Sequence, residues 1–349
     1  MKELTISSHE ASQRMDKYLK RIFPEMGTSF LYKMLRKKNI TLNGKKATGS
    51  ELVQTGDRIQ CFFSDETFDK FAGNNALSES KQASDGELTC AKKQSNTTEY
   101  QNAYDTLKGI QVIYEDEHIL LLDKPAGILS QKAKPEDMSL NEWMIGYLLH
   151  SKVITDESLR HFKPSVCNRL DRNTSGLVIC GKTLLGSREM SRMLKDRSLQ
   201  KYYHTYVHGK LDGEKVLEGY HYKDKNVNQA KILFDKPTKN IEQYDSIITS
   251  YRSLEVKKEY SYLEIELITG KTHQIRAHLA AYGHPLVGDK KYGNQRAANH
   301  KNYPKYQLLH AYRVVFPTLD GELKHLSNKE FICEEPKAFK QFEKNIFNG

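Results

Sequence analysis

The segment Asn168-Arg169-Leu170-Asp171-Arg172-Asn173-Thr174-Ser175-Gly176 sets one carboxylate between two guanidinium groups, in a polar turn that runs into the apolar stretch Leu177-Val178-Ile179. A field of that kind favours an ionised carboxylate, which can act as nucleophile, base or electrostatic partner. The same spacing also suits an aspartate that caps the Asn-Thr-Ser-Gly turn and pairs with an arginine for stability alone. The second segment, Leu267-Ile268-Thr269-Gly270-Lys271-Thr272-His273-Gln274-Ile275-Arg276, reads as a strand, a glycine turn and a helix start rich in cations. Helix N-termini attract anions, and Lys271, His273 and Arg276 strengthen that tendency. The third, Lys201-Tyr202-Tyr203-His204-Thr205-Tyr206-Val207-His208, alternates as a strand. Its tyrosines suit sheet packing, or, on a face turned to a ligand, stacking on a base and proton exchange through the hydroxyl.

Metal chemistry has little support in these spacings. His273 and His278 are five apart, which is poor for one helical face. His204 and His208 share one side of a strand but have no carboxylate or cysteine pattern beside them, so they read as exposed histidines. The five cysteines (Cys61, Cys90, Cys167, Cys180 and Cys333) form no CxxC pair. They read as reduced thiols of a cytoplasmic protein, with neither a zinc site nor a disulfide framework. No apolar run approaches the ~20 residues needed to cross a bilayer, and the N-terminus lacks an apolar signal core.

The elements that position these residues fall into three stretches. Residues 1–63 hold 12 Lys/Arg against 6 Asp/Glu. Met15, Tyr18, Leu19 and Ile22 recur as one buried helix face. A second helix, capped by Thr28 or Ser29, is expected to bury Phe30, Leu31, Met34 and Leu35 and to expose Arg36, Lys37 and Lys38. Strands near Ile40–Leu42 and Arg58–Phe63 complete a small basic α/β unit. A solvated helix face explains such a cluster, and so does a dock for phosphates, where Arg14 and Lys17 would join Arg36, Lys37 and Lys38. Residues 64–108 hold 5 Lys/Arg and 8 Asp/Glu among Ser, Asn, Gln and Thr, and Gly73–Thr98 has no sustained apolar period. They are expected to form a flexible linker. Residues 109–349 alternate strand signals with fewer helices, which predicts an α+β domain around a large mixed, mostly antiparallel β-sheet flanked by helices. The net charge of +10 over 349 residues favours a polyanionic partner.

Taken in order, four stretches closely resemble the RluA-type pseudouridine synthase family, whose members modify large-subunit ribosomal RNA and some transfer RNA. They are VIYEDEHILLLDKPAGILS (112–130), RLDRNTSGLVICGK (169–182), KYYHTYVHG (201–209) and ELITGKTHQIRAHLAAYGHPLVGDKKYG (266–293). The basic unit at 1–63 similarly resembles the small RNA-binding domain of ribosomal small-subunit protein four. The resemblance implies a catalytic aspartate at Asp171, an active-site tyrosine at Tyr203 and a basic partner at Arg276, with Lys271 as the alternative partner. It implies RNA contacts by Arg169, Arg172, Lys271 and His273, no cofactor and no metal. The expected protein is monomeric, acting on ribosomal RNA, with transfer-RNA modification or a non-catalytic RNA-binding role as the other readings. Where many relatives carry histidine before Arg-Leu-Asp, this chain has Asn168, which leaves open how the nucleotide beside the target is held. The polar stretch 212–251 matches only loosely and reads as a surface insertion.

Overall fold

A computed structural model describes residues 2–6, 10–64, 67–68, 71, 96–224, 229–293 and 303–348. The N-terminal unit contains β1 (Lys2–Thr5), β2 (Gln13–Arg14), α1 (Met15–Ile22), α2 (Thr28–Arg36), β3 (Ile40–Leu42), β4 (Lys45–Lys46), β5 (Leu52–Val53) and β6 (Arg58–Cys61). Strands β1-β6-β3-β4 form one sheet and β2-β5 a small second one. Met15, Tyr18 and Leu19 of α1 meet Leu31, Met34 and Leu35 of α2 in a core of their own. Phe30 departs from the expected pattern. It is 37% exposed, with its ring 5.1 Å from that of Phe71 at the edge of the core. Gly27, not Thr28 or Ser29, is the N-cap of α2.

Phe68 is buried in this same core, with Phe71 packed against it, so the folded unit runs past residue 63. The expected linker is also too long at its other end. Asn96–Thr106 is a helix, α3, and its Tyr100 and Ala103 are buried. It lies so close to the next helix, α4 (Leu140–His150), that a Cβ at Gly146 would sit 2.3 Å from the Tyr100 carbonyl oxygen. Two buried side chains are too few to register as an apolar stripe in a polar sequence. The centre of the expected tether, 72–95, lies outside the described residues.

The larger unit continues with β7 (Gln111–Glu115), β8 (Ile119–Lys124), α4, α5 (Asp156–His161), β9 (Ser165–Val166), β10 (Ser175–Gly181), α6 (Leu184–Asp196), β11 (Gln200–His208) and β12 (Glu214–Asp224). There follow β13 (Gln229–Leu233), β14 (Asp245–Lys257), β15 (Tyr260–Leu267), α7 (Gln274–Ala281), β16 (Leu309–Val315), β17 (Glu330–Ile332) and α8 (Lys337–Asn348). Eleven strands form a single mixed sheet, β13-β12-β14-β15-β11-β16-β10-β8-β7, with β17 on β16 and β9 on β10. Among the described pairs only β10 and β16 run parallel. Alternation along β8 serves both faces: Leu120 and Leu122 join Met144 and Leu148 of α4, while Ile119 and Leu121 join Met190 and Met193 of α6.

The stretch 212–251 is no surface insertion. Its strands β12, β13 and most of β14 extend the sheet, and Leu217, Ile247 and Tyr251 are buried. Nor are His204 and His208 exposed: both are half-buried, His204 bonded to Glu335 and His208 to the Tyr303 hydroxyl. Among the described residues no helix is long and apolar enough to cross a membrane.

Two fully buried histidines give the fold a signed pH dependence. Burial pushes both His278 and His310 down to about 4. Each therefore binds fewer protons folded than unfolded, so stability is full above the unfolded value of about 6.5 and is lost as pH falls toward 4. We expect a loss on the order of 1 kcal/mol per pH unit for each histidine in that window. Urea denaturation between pH 7 and 5 checks this, and a flatter profile in His310→Gln assigns its share.

Candidate active site

Asp171 sits in the loop between β9 and β10, and the loop after β8 holds it in place. The Ser130 hydroxyl donates to the Leu170 carbonyl (2.9 Å) and accepts from the Leu170 N–H (3.0 Å). The Gly127 N–H donates to the Arg172 carbonyl at 2.8 Å. Lys124, fully buried, donates to the carbonyls of Pro125 (3.1 Å), Ile128 (2.9 Å) and Arg172 (3.2 Å). Burial pushes its pKa down to about 7, while Asp171 and Asp123 nearby and three carbonyl acceptors favour the ammonium form. The Lys-Pro-Ala-Gly stretch thus folds the carboxylate loop and need not touch a ligand. On the other side, Gly176 has φ +113° and lies so close to β16 that a Cβ would come within 2.2 Å of the Ala311 carbonyl oxygen. A side chain there would push the Asp171 loop off the sheet.

Arg169 and Arg172 do not flank Asp171 as their spacing suggested. Both are exposed, and among the described residues neither is ion-paired with it. Successive residues of a turn project to different sides, so the partner comes from far along the chain. Arg276 Nη1 donates to Asp171 Oδ2 at 2.7 Å. Asp171 is not a turn cap either: the turn closes through its backbone carbonyl, which accepts from the Thr174 N–H at 3.0 Å.

Arg276 lies in the first turn of α7, whose start is fixed by Gln274. The Gln274 amide donates to the Ile248 carbonyl and the Thr249 hydroxyl and accepts from Thr269 and the Lys271 N–H. His273, at φ +55°, is the N-cap, and its Nε2 lies 3.9 Å from Asp171 Oδ2. Burial pushes His273 down to about 4 against the pull of Asp171, so the ring is neutral near pH 7. Lys271 turns outward to pair with Asp245 at 2.8 Å. The guanidinium fork of Arg276 meets Asp289 with Nε (2.7 Å) and Nη2 (2.9 Å). Burial alone would raise the Asp289 carboxyl, but its bonds to Arg276 hold it below the usual range, and Arg276 is raised in turn.

An open cavity lies here, its wall formed by Arg169, Asp171, Thr174, Tyr203, Lys271, His273 and Arg276 among others. Tyr203 lies on β11 beside Ala311 and is buried to 5% exposure; burial, then Asp171, raises its hydroxyl above the usual value. A carboxylate, a phenol and a guanidinium thus meet at one cavity wall. Asn168 spends its amide on the fold, accepting from the Ile179 N–H at 2.7 Å and donating to the Leu177 carbonyl at 3.5 Å. Its side chain thus continues the pairing of β9 with β10.

The residues expected at RNA from the basic unit remain apart from this cavity. Lys17, Arg36, Lys37 and Lys38 are exposed, while Arg14 pairs with Asp16 at 3.0 Å. Among the described residues one cluster has metal-ligand chemistry, Asp123, His310 and Cys333, whose ligand atoms lie within 4.8 Å of one another. None of the three lines the cavity, and the imidazole already bonds Ser175 and Cys333. Sequence spacing missed Asp289, Lys124 and Ser130 because each acts on a segment tens of residues or a whole turn away.

The profile of the RNA pseudouridylate synthase family matches residues 118–281. An uncharacterised RNA pseudouridine synthase of Mycoplasma genitalium is 31% identical over 340 residues, covering 97% of this chain and 96% of its own. The ribosomal large subunit pseudouridine synthase C of Rickettsia bellii is 33% identical over 316 residues, covering 89% and 92%. Among solved structures, human RNA pseudouridylate synthase domain containing 4 shares the fold (TM-score 0.54, 16% identity, 72% of this chain and 97% of that one). The chain belongs to the RNA pseudouridine synthase family, in its RluA-type branch, and is an isomerase that converts uridine in RNA to pseudouridine.

Proposed function

We propose that the substrate is large-subunit ribosomal RNA and that Asp171 is the catalytic carboxylate. The observation that carries this reading is the 2.7 Å contact of Arg276 with Asp171 at the wall of a cavity that Tyr203 also lines. The target uridine leaves its stack to reach the cavity, at a cost of a few kcal/mol. Asp171 then assists rupture of the bond from C1′ to N1, by attack on the sugar or by removal of a sugar proton. The uracil turns, a bond forms from C1′ to C5, and the proton on C5 is removed while N1 gains one. Tyr203 stacks on the base and helps take the C5 proton. Arg276 keeps Asp171 aimed, a preorganised electrostatic role. Arg169, Lys271 and His273, which line the cavity, hold the flanking phosphates or sugar together with the exposed Arg172.

The choice of ribosomal RNA is supported by the relatives named for the large ribosomal subunit and by the basic N-terminal unit. Purified protein incubated with large-subunit ribosomal RNA and with transfer RNA tests it: pseudouridine is expected at discrete positions of the former. Conversion confined to transfer RNA would refute the substrate assignment.

The N-terminal unit serves as a phosphate dock in this reading. Replacing Arg36, Lys37 and Lys38 together with glutamine is expected to raise KM for long RNA more than it lowers kcat. It should also flatten the log–log salt dependence of binding by about 2–3. A salt slope equal to the wild type in filter binding would rule out the dock.

A further inference from the structure

We propose that the turn Gly288–Gly293 aligns both groups that face Asp171, with Asp289 and Tyr292 as positioning residues. The proposal rests on the reading of Asp171 as the catalytic carboxylate.

Asp289 acts on Arg276. A guanidinium is planar, so holding its Nε and Nη2 on one carboxylate leaves a single direction for Nη1, and that direction ends on Asp171 Oδ2. The Asp289 side chain is fully buried, so water does not compete for the fork. Its Oδ1 also accepts the N–H groups of Lys291 (2.9 Å) and Tyr292 (3.1 Å), which ties the shape of the turn to the position of the arginine.

Tyr292 acts on His273. Its ring lies against the Arg276 guanidinium, 5.2 Å from centroid to Cζ. Its hydroxyl accepts the Ala230 N–H at 2.7 Å and lies 2.9 Å from His273 Nδ1. In the proposed arrangement the phenolic proton goes to Nδ1, and the neutral ring then carries its own proton on Nε2. Nε2–H faces the cavity 3.9 Å from Asp171 Oδ2, too far for a hydrogen bond with it and free for an oxygen of the incoming nucleotide. One turn therefore sets the direction of the charged partner and the tautomer of the neutral one. Neither Asp289 nor Tyr292 needs to touch RNA.

Asp289→Asn and Tyr292→Phe in the full-length protein test this, beside wild type and Asp171→Asn. For Asp289→Asn, kcat is expected to fall on the order of 10²-fold, from misplacement of Arg276, with KM for the RNA within about twofold. For Tyr292→Phe the expected fall is about tenfold, again in kcat. The imidazole nitrogen NMR spectrum, with the His273 signal assigned by His273→Gln, should show one Nε2–H tautomer in wild type and a mixture in Tyr292→Phe. Wild-type kcat in both variants, losses confined to KM, or an unchanged His273 tautomer in Tyr292→Phe would overturn the proposal. If Asp289→Asn fails to fold, the Tyr292→Phe kinetics and spectrum decide. An Asp171→Asn protein as active as wild type would instead sink the Asp171 assignment, whereas an inactive one beside fully active Asp289→Asn and Tyr292→Phe would sink only the role of the turn.

Discussion

Replacing Asp171 with alanine or asparagine is expected to lower pseudouridine formation on the order of 10⁴-fold or more while leaving RNA affinity within about threefold. The reason is the separation of labour at the site. On the proposed reading, binding rests on exposed cations spread over the surface, among them Arg169 and Arg172, and on burial of the flipped base. Asp171 adds one negative charge to that surface, so its removal does not weaken attraction for phosphate. It is, however, the carboxylate set at the cavity wall against Arg276, where the proposed reaction places the sugar. Single-turnover kinetics with an excess of enzyme, together with filter binding, separate the two effects. Equal loss of binding and rate would mean that Asp171 holds the RNA and does not act on it.

The second large effect concerns Arg276, where two substitutions should diverge. Arg276→Ala leaves Asp289 buried with no countercharge, a loss of about 3–5 kcal/mol in stability. Arg276→Lys keeps a charge but not the fork, since an ammonium cannot hold Asp289 with two parallel bonds and Asp171 with a third in one plane. It should fold, with kcat lowered on the order of 10²–10³-fold. Thermal denaturation and kcat measured on both variants check this. A fully active Arg276→Lys enzyme would show that charge alone, without orientation, suffices.

Much of this architecture was legible in the sequence where a period or a turn residue carried it. The alternation Lys201–His208 emerges as β11 within a residue, and Met15, Tyr18 and Leu19 bury as one face of α1. Helix α4 was not legible, because it is apolar around most of its circumference and so has no stripe to read. Strands β12 to β14 were read as an insertion because their polar residues face outward while a few large apolar ones are buried. At the site, local spacing pointed to Arg169 and Arg172 as the neighbours of Asp171. The fold brings Arg276 from 105 residues away instead, a contact made by tertiary packing that no local window contains. Asn168 shows the converse: a departure that raised a question about nucleotide binding is absorbed by the backbone of β10.

The most direct test of the central claim is pseudouridine mapping on large-subunit ribosomal RNA lacking the modification, after incubation with purified wild-type protein or with Asp171→Ala. Wild-type protein should convert uridine at discrete positions, and the variant should convert none above background. Equal conversion by the two proteins would contradict the assignment of Asp171, and no conversion by wild type would contradict the choice of substrate.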